Sequence, residues 1–137
     1  MMREILFRGK TYDGEWENGS LLIQWGEMTN DGEREREYLI LGMRGESRFV
    51  IPETVGQYTG LKNENGKRIF EGDIVRAQDN LIFSPFCDGL VGKVVYIETA
   101  FFIEPKDPTK SEYLFNECAI YEVLGNIHDN PELMEVR

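Results

Sequence analysis

Histidine is nearly missing from this chain of 137 residues: His128 is the only one. That scarcity excludes a good deal of chemistry. A Ser or Cys nucleophile usually takes its base from histidine, so any such triad must be built around this residue, in the segment NIHDN. Cysteine is scarce too. Cys87 and Cys118 lack CxxC spacing, so the roughly four ligands of a zinc site are hard to assemble. No apolar run approaches the ~18 residues of a membrane span. The opening MMREILFRGK carries charges at positions 3, 4, 8 and 10, which leave no apolar stretch for a signal peptide. The expectation is a soluble cytoplasmic protein with reduced cysteines, no metal, no cofactor and no membrane partner.

Positive charge is short as well. Fifteen Lys and Arg stand against 25 Asp and Glu, a net charge of −10. Residues 1–50 carry −3, residues 51–97 carry −1 and residues 98–137 carry −6. Nucleic-acid affinity comes mainly from neutralising phosphates, so a chain this acidic is a poor general DNA or RNA binder.

What is abundant points to β structure. Apolar residues make up 41%, with eight Phe, six Tyr and two Trp, and 14 glycines often stand in NG, DG or EGD contexts. In residues 3–11, Ile5 and Phe7 fall on one strand face with Glu4 and Arg8 opposite. Asp13-Gly14 and Asn18-Gly19 are turn signals flanking a core Trp16, and Leu21–Trp25 is a second strand, so residues 3–25 read as a hairpin or meander. Residues 27–38 are polar, either a strand with alternating charges or a loop. Tyr38–Leu41 reads as a buried strand, Gly42–Gly45 as a turn and Phe49–Ile51 as a strand. Residues 81–90 read as an insertion or irregular edge. Strands follow at 92–97, 100–103, 113–115 and 120–124, interrupted by an exposed loop at 104–111. Asn130-Pro131-Glu132-Leu133 reads as an N-cap opening a short terminal helix. No internal repeat stands out.

The densest information lies in residues 52–76, PETVGQYTGLKNENGKRIFEGDIVR. Pro52 ends a strand because it has no ladder donor. Val55, Tyr58 and Leu61 are its apolar positions, with Gly56 and Gly60 between them. Asn65-Gly66 is a strong hairpin signal. Glu71-Gly72-Asp73 is a second tight turn, with Asp73 as its cap, and Ile74-Val75 opens a strand of the kind that curls round an SH3-like core. These glycines are not a phosphate cradle: the Gly60-to-Lys67 spacing is wrong, and Arg68 stands where Ser or Thr is needed. Glu71/Asp73 and Glu15/Glu17 have little specificity as acid–base pairs. His128 reads as a surface or capping residue beside the terminal helix.

Three separated blocks carry a family resemblance. They are REILFRGK with a Trp after the DGEW turn, the 52–76 segment, and YEVLGNIHDNPEL near the end. In that order they resemble the YopX family, small proteins of phages and prophages of low-GC Gram-positive bacteria. The resemblance implies a mainly β fold, a small SH3-like barrel or roll of antiparallel hairpins with a short C-terminal helix. It implies one unit over 1–137, with a β meander over 1–51 packed on an SH3-like module over 52–137. The signature positions Pro52, Gly56, Tyr58, Gly60, Leu61, Asn65, Gly66, Gly72, Asp73, Ile74, Val75, Gly125 and Asn126 are expected to serve structure. The family brings no established activity, so no catalytic residue is assigned. Residues 27–48 and 78–118 depart from the family pattern.

Without a catalytic set, the reading is a non-enzymatic phage accessory protein that binds a host or phage protein, or itself. Residues 81–90 and 98–115 are its candidate contact elements. The alternative is a nucleic-acid module using Lys62, Lys67, Arg68 and Arg76, with Tyr58 as a stacking platform. A variant of it has the acidic C-terminal third imitate phosphate charge and bind the host's DNA-binding proteins.

Overall fold

The computed structural model describes residues 2–135. Among the described residues, eleven strands, one short α-helix and two 3₁₀ turns form in chain order, and the chain divides into two units between Tyr58 and Thr59.

The first unit holds β1 (Phe7–Lys10), β2 (Trp16–Trp25), β3 (Arg36–Gly42), β4 (Ser47–Phe49) and the first residues of β5 (Gly56–Lys62). Their order is β4-β3-β2-β1-β5, and the pairings β4–β3, β3–β2, β2–β1 and β1–β5 are antiparallel. An isolated bridge from Thr11 to Val50 ties the chain after β1 to the chain after β4. Ile40 and Val50 are fully buried there.

One turn design closes β1–β2 at Thr11–Glu15 and β3–β4 at Gly42–Glu46, and it recurs at Thr29–Glu33. The first residue's N–H donates to the fifth residue's carbonyl at 2.7–2.8 Å. The fourth residue is glycine with φ between +83° and +91°, the left-handed position such three-residue loops require. Thr11 and Thr29 each donate a hydroxyl hydrogen bond to the Asp two residues on.

Three expectations for this half are corrected. The first strand is shorter than residues 3–11, and Ile5 lies outside it, 56% exposed. Asn18-Gly19 is not a turn but sits inside β2. A β-carbon on Gly19 would stand 2.0 Å from the Leu41 carbonyl oxygen, so the glycine admits a backbone contact and not a reversal. Trp16 is half-buried under the Arg8 guanidinium, 4.7 Å from its ring centre.

The second unit holds the rest of β5, β6 (Arg68–Phe70), β7 (Asp73–Gln78), β8 (Leu90–Ile97), β9 (Ala100–Glu104), β10 (Glu112–Tyr113), β11 (Ile120–Asn126) and the helix α1 (Glu132–Glu135). Five strands run in the order β10-β9-β8-β7-β11. Its core is Ile69, Val75, Ala77, Phe86, Val94, Ile103, Leu114 and Tyr121. Tyr121 donates its hydroxyl to the Leu114 carbonyl, and burial pushes its pKa upward. Phe86 was unexpected, because residues 81–90 read as an insertion or irregular edge.

The fold is mainly β, as expected, but among the described residues neither sheet closes into a barrel. Closure needs two partners for every strand. Here β10 has two residues, following a loop broken by Pro105 and Pro108, and β11 pairs only with β7. No helix among the described residues is long and apolar enough to cross a membrane.

Arg48 of β4 gathers three carboxylates of the first unit. Its Nη1 donates to Glu15 Oε2 and Glu17 Oε1, both at 2.7 Å, and its Nη2 meets both oxygens of Asp13 at 3.1 Å. The Thr11 hydroxyl is the larger cause of Asp13's lowered pKa, with Arg48 adding to it. A depressed carboxylate contributes stability above its ordinary value of 3.8 and loses it as pH falls through the lower folded value. The urea midpoint of the wild type should therefore drop between pH 6 and pH 3. That drop should shrink in both Thr11→Val and Arg48→Gln, and more in Thr11→Val.

Candidate protein-contact face

The signature residues build turns and anchors. Pro52 opens a 3₁₀ turn over Pro52–Thr54, while Gly56 and Tyr58 are buried in β5. Gly60 has φ +90°, and Leu61 packs against the second unit's core. Asn65 and Gly66 lie in the β5–β6 turn, where the Asn63 side chain accepts the N–H groups of Asn65 and Lys67 at 2.9 and 2.8 Å. Gly72 N–H donates to the Val94 carbonyl, and its own carbonyl accepts Ile127 N–H, both at 2.9 Å. Asp73 is buried and accepts Phe70 N–H at 2.8 Å across the tight turn. Ile74 and Val75 are fully buried.

Before α1, Asn126 accepts the N–H groups of His128 and Asp129, both at 2.9 Å. The Asn130 side chain reaches back to Asn126 N–H at 3.2 Å. A β-carbon on Gly125 would come within 2.4 Å of that Asn130 oxygen, which accounts for glycine there.

The four basic residues are divided. Lys62 and Lys67 flank the β5–β6 turn and Arg68 opens β6. Arg76 lines a cleft of about 480 Å³ with the acids Glu64, Asp79 and Glu122, and none of the other three basic residues lines it.

The outer face of the second unit's sheet has a different character. Directly paired residues share a face, as do residues two apart along a strand. The row Val95–Phe102–Tyr113 therefore crosses β8, β9 and β10 on one face, with Ile97 and Ala100 beside it. The opposite face holds Val94 and Ile103, which are 1% and 0% exposed. On the outer face Tyr113 is 63% and Ile97 45% exposed. The rings of Phe102 and Tyr113 stack with centres 4.6 Å apart and planes 27° apart. Lys93 and Glu104, opposite one another on that face, approach to 3.5 Å. Antiparallel sheets commonly turn polar residues to water, so an apolar aromatic row in that position is an unusual surface.

Segment 98–115, expected as a candidate contact element, supplies Phe102 and Tyr113; period-two alternation puts them on one face together but does not say which face is outer, because both are apolar. Both cysteines are free thiols.

Fold and face together describe a mainly β protein of two antiparallel sheets with an aromatic outer surface. The family described as YopX protein matches residues 6–135, and the chain belongs to it. Among solved structures it is similar to protein EF1440 from Enterococcus faecalis at 25% identity, with a TM-score of 0.51 over 97% of this chain and 99% of that one. It is also similar in fold to protein yopX from Bacillus subtilis, at 17% identity and a TM-score of 0.54 over 93% and 96% of the two chains. None of the curated proteins matches it.

The Asp73 anchor gives a test of the signature. Asp73→Ala removes the buried acceptor of Phe70 N–H and should cost about 1–3 kcal/mol in denaturant unfolding. Asp73→Asn, which keeps an acceptor, should recover part of that loss.

Proposed function

We propose that this YopX-family chain is a non-enzymatic phage or prophage accessory protein of the host cytoplasm that binds another protein through the outer face of β8, β9 and β10. One observation carries the reading: the solvent side of that sheet displays Ile97 and Tyr113, with Val95 and Phe102 half-buried beside them. Aromatic side chains held by stacking lose little freedom on binding, and aromatic anchors dominate protein interfaces. On this reading the second unit acts as an open roll of SH3-like kind, its face and short edge strand free for a partner.

The test uses the full chain, tagged, in lysate of a low-GC Gram-positive host, with half of the lysate nuclease-treated. The expected outcome is a protein partner that survives nuclease and is retained at least ~10-fold less by Tyr113→Ser or Phe102→Ser. Tyr113→Ser loses the stack on Phe102 and should cost about 0.5–1.5 kcal/mol, so retention is compared at a temperature where both proteins are folded. A monomeric protein that retains nothing contradicts the proposal. Partners lost with nuclease would favour nucleic-acid binding through Lys62, Lys67, Arg68 and Arg76.

A further inference from the structure

Residues 79–89 form an ordered loop with an unusual tip. Ser84 N–H donates to the Leu81 carbonyl at 3.1 Å and closes a tight turn. The two residues at its corner are Ile82 and Phe83, which are 82% and 99% exposed. Turn corners normally carry Gly, Pro, Asn, Asp or Ser, whose backbones or side chains favour the reversal. Isoleucine and phenylalanine offer the turn no such advantage, and so exposed they add little to the core.

The base of the loop is firmly held. Asp79 is buried and accepts Leu81 N–H at 2.9 Å and the Ser84 hydroxyl. Ser84 Oγ accepts Phe86 N–H at 3.1 Å, and Asp79 N–H donates to the Phe86 carbonyl at 3.2 Å. The Phe86 ring is 1% exposed in the core. A buried carboxylate, a serine bridge and a core phenylalanine thus fix the stem, while the two apolar tip residues stand in water. Hydrogen bonds within the loop hold its stem without a partner, which lowers the ordering cost of insertion.

Charge selects among occupants. Asp88 is exposed on the loop and Asp79 is buried at its base, where the Arg76 guanidinium stands beside Gly89, in a chain of net charge −10. An anionic membrane surface and a second copy of the chain would both be repelled. A partner with a basic rim around an apolar pocket would be attracted.

We propose that the 79–89 loop is a preformed anchor that seats Ile82 and Phe83 in an apolar pocket of a basic partner protein. The inference rests on the protein-binding reading and adds a second contact to it.

The test places a photoreactive phenylalanine analogue at position 83 of the full chain, irradiates it in host lysate and identifies the adduct by mass spectrometry. The adduct is then purified as a separate protein, and the binary complex is measured with wild type, Phe83→Ser, Ser84→Ala and Tyr113→Ser. The expected result is a partner of net positive charge, bound at least ~10-fold more weakly by Phe83→Ser and several-fold more weakly by Ser84→Ala, with affinity falling as salt rises. An acidic partner, an adduct with a second copy of the chain, no adduct, or Phe83-dependent sedimentation with phosphatidylglycerol vesicles overturns the anchor. A complex weakened by Tyr113→Ser and untouched by Phe83→Ser also overturns the anchor while leaving the outer-face reading intact. Failure of both variants to matter overturns both.

Discussion

Val94 and Ile103 face each other across β8 and β9, both almost wholly buried, and their burial sets the phase of both strands. A slip of one residue would send them to water and bring Val95 and Phe102 inward. Both alternatives are apolar, so the pattern alone selects weakly between them. What decides is the rest of the core. Val75, Ala77, Leu114 and Tyr121 gather with Val94 and Ile103, and the Tyr121 hydroxyl donates to the Leu114 carbonyl on the same side. Once that side is chosen, Val95, Phe102 and Tyr113 must turn outward. The outward placement of this apolar row is thus a consequence of the core.

Turn chemistry sets the first unit in a similar way. Two TxDGE segments, Thr11–Glu15 and Thr29–Glu33, use the same threonine-to-aspartate hydrogen bond and the same left-handed glycine. The first of them also aligns Asp13, Glu15 and Glu17 so that Arg48 reaches all three. Such a network is more than an isolated surface ion pair, because one planar guanidinium serves several acceptors with its donors in fixed directions. Glu15 and Glu17 are drawn into this ion-pair network by the hairpin that pairs β1 with β2.

Much of this was legible in the amino-acid sequence, for identifiable reasons. Strands at 92–97 and 100–103 are apolar and β-branched or aromatic, and they emerged as β8 and β9 within a few residues. Their turn lacked a signal: Glu98 and Thr99 adopt φ of +48° and +72° without glycine. Asn65-Gly66 marked a true turn, whereas Asn18-Gly19, the same dipeptide, lies mid-strand. The difference is tertiary, since the approach of the Leu41 carbonyl to Gly19 depends on a partner strand more than twenty residues away. Phe86 looked like part of an irregular segment because Ser84, Pro85 and Asp88-Gly89 surround it, and its burial depends on a loop held by Asp79. The outer aromatic row could not be separated from the core by composition, because both rows of β8 and β9 are apolar.

Solvent accessibility on the two sides of β8 and β9 tests the central claim most directly. In a Cys87→Ser, Cys118→Ser background, single cysteines would be placed at Val94, Val95, Phe102, Ile103 and Tyr113 and their rates of maleimide labelling measured in the folded chain. The structure predicts fast labelling at positions 95, 102 and 113 and slow labelling at 94 and 103. Protection at 95, 102 and 113 equal to that at 103 would contradict it, because the aromatic row would then belong to a second core and not to a solvent-facing surface.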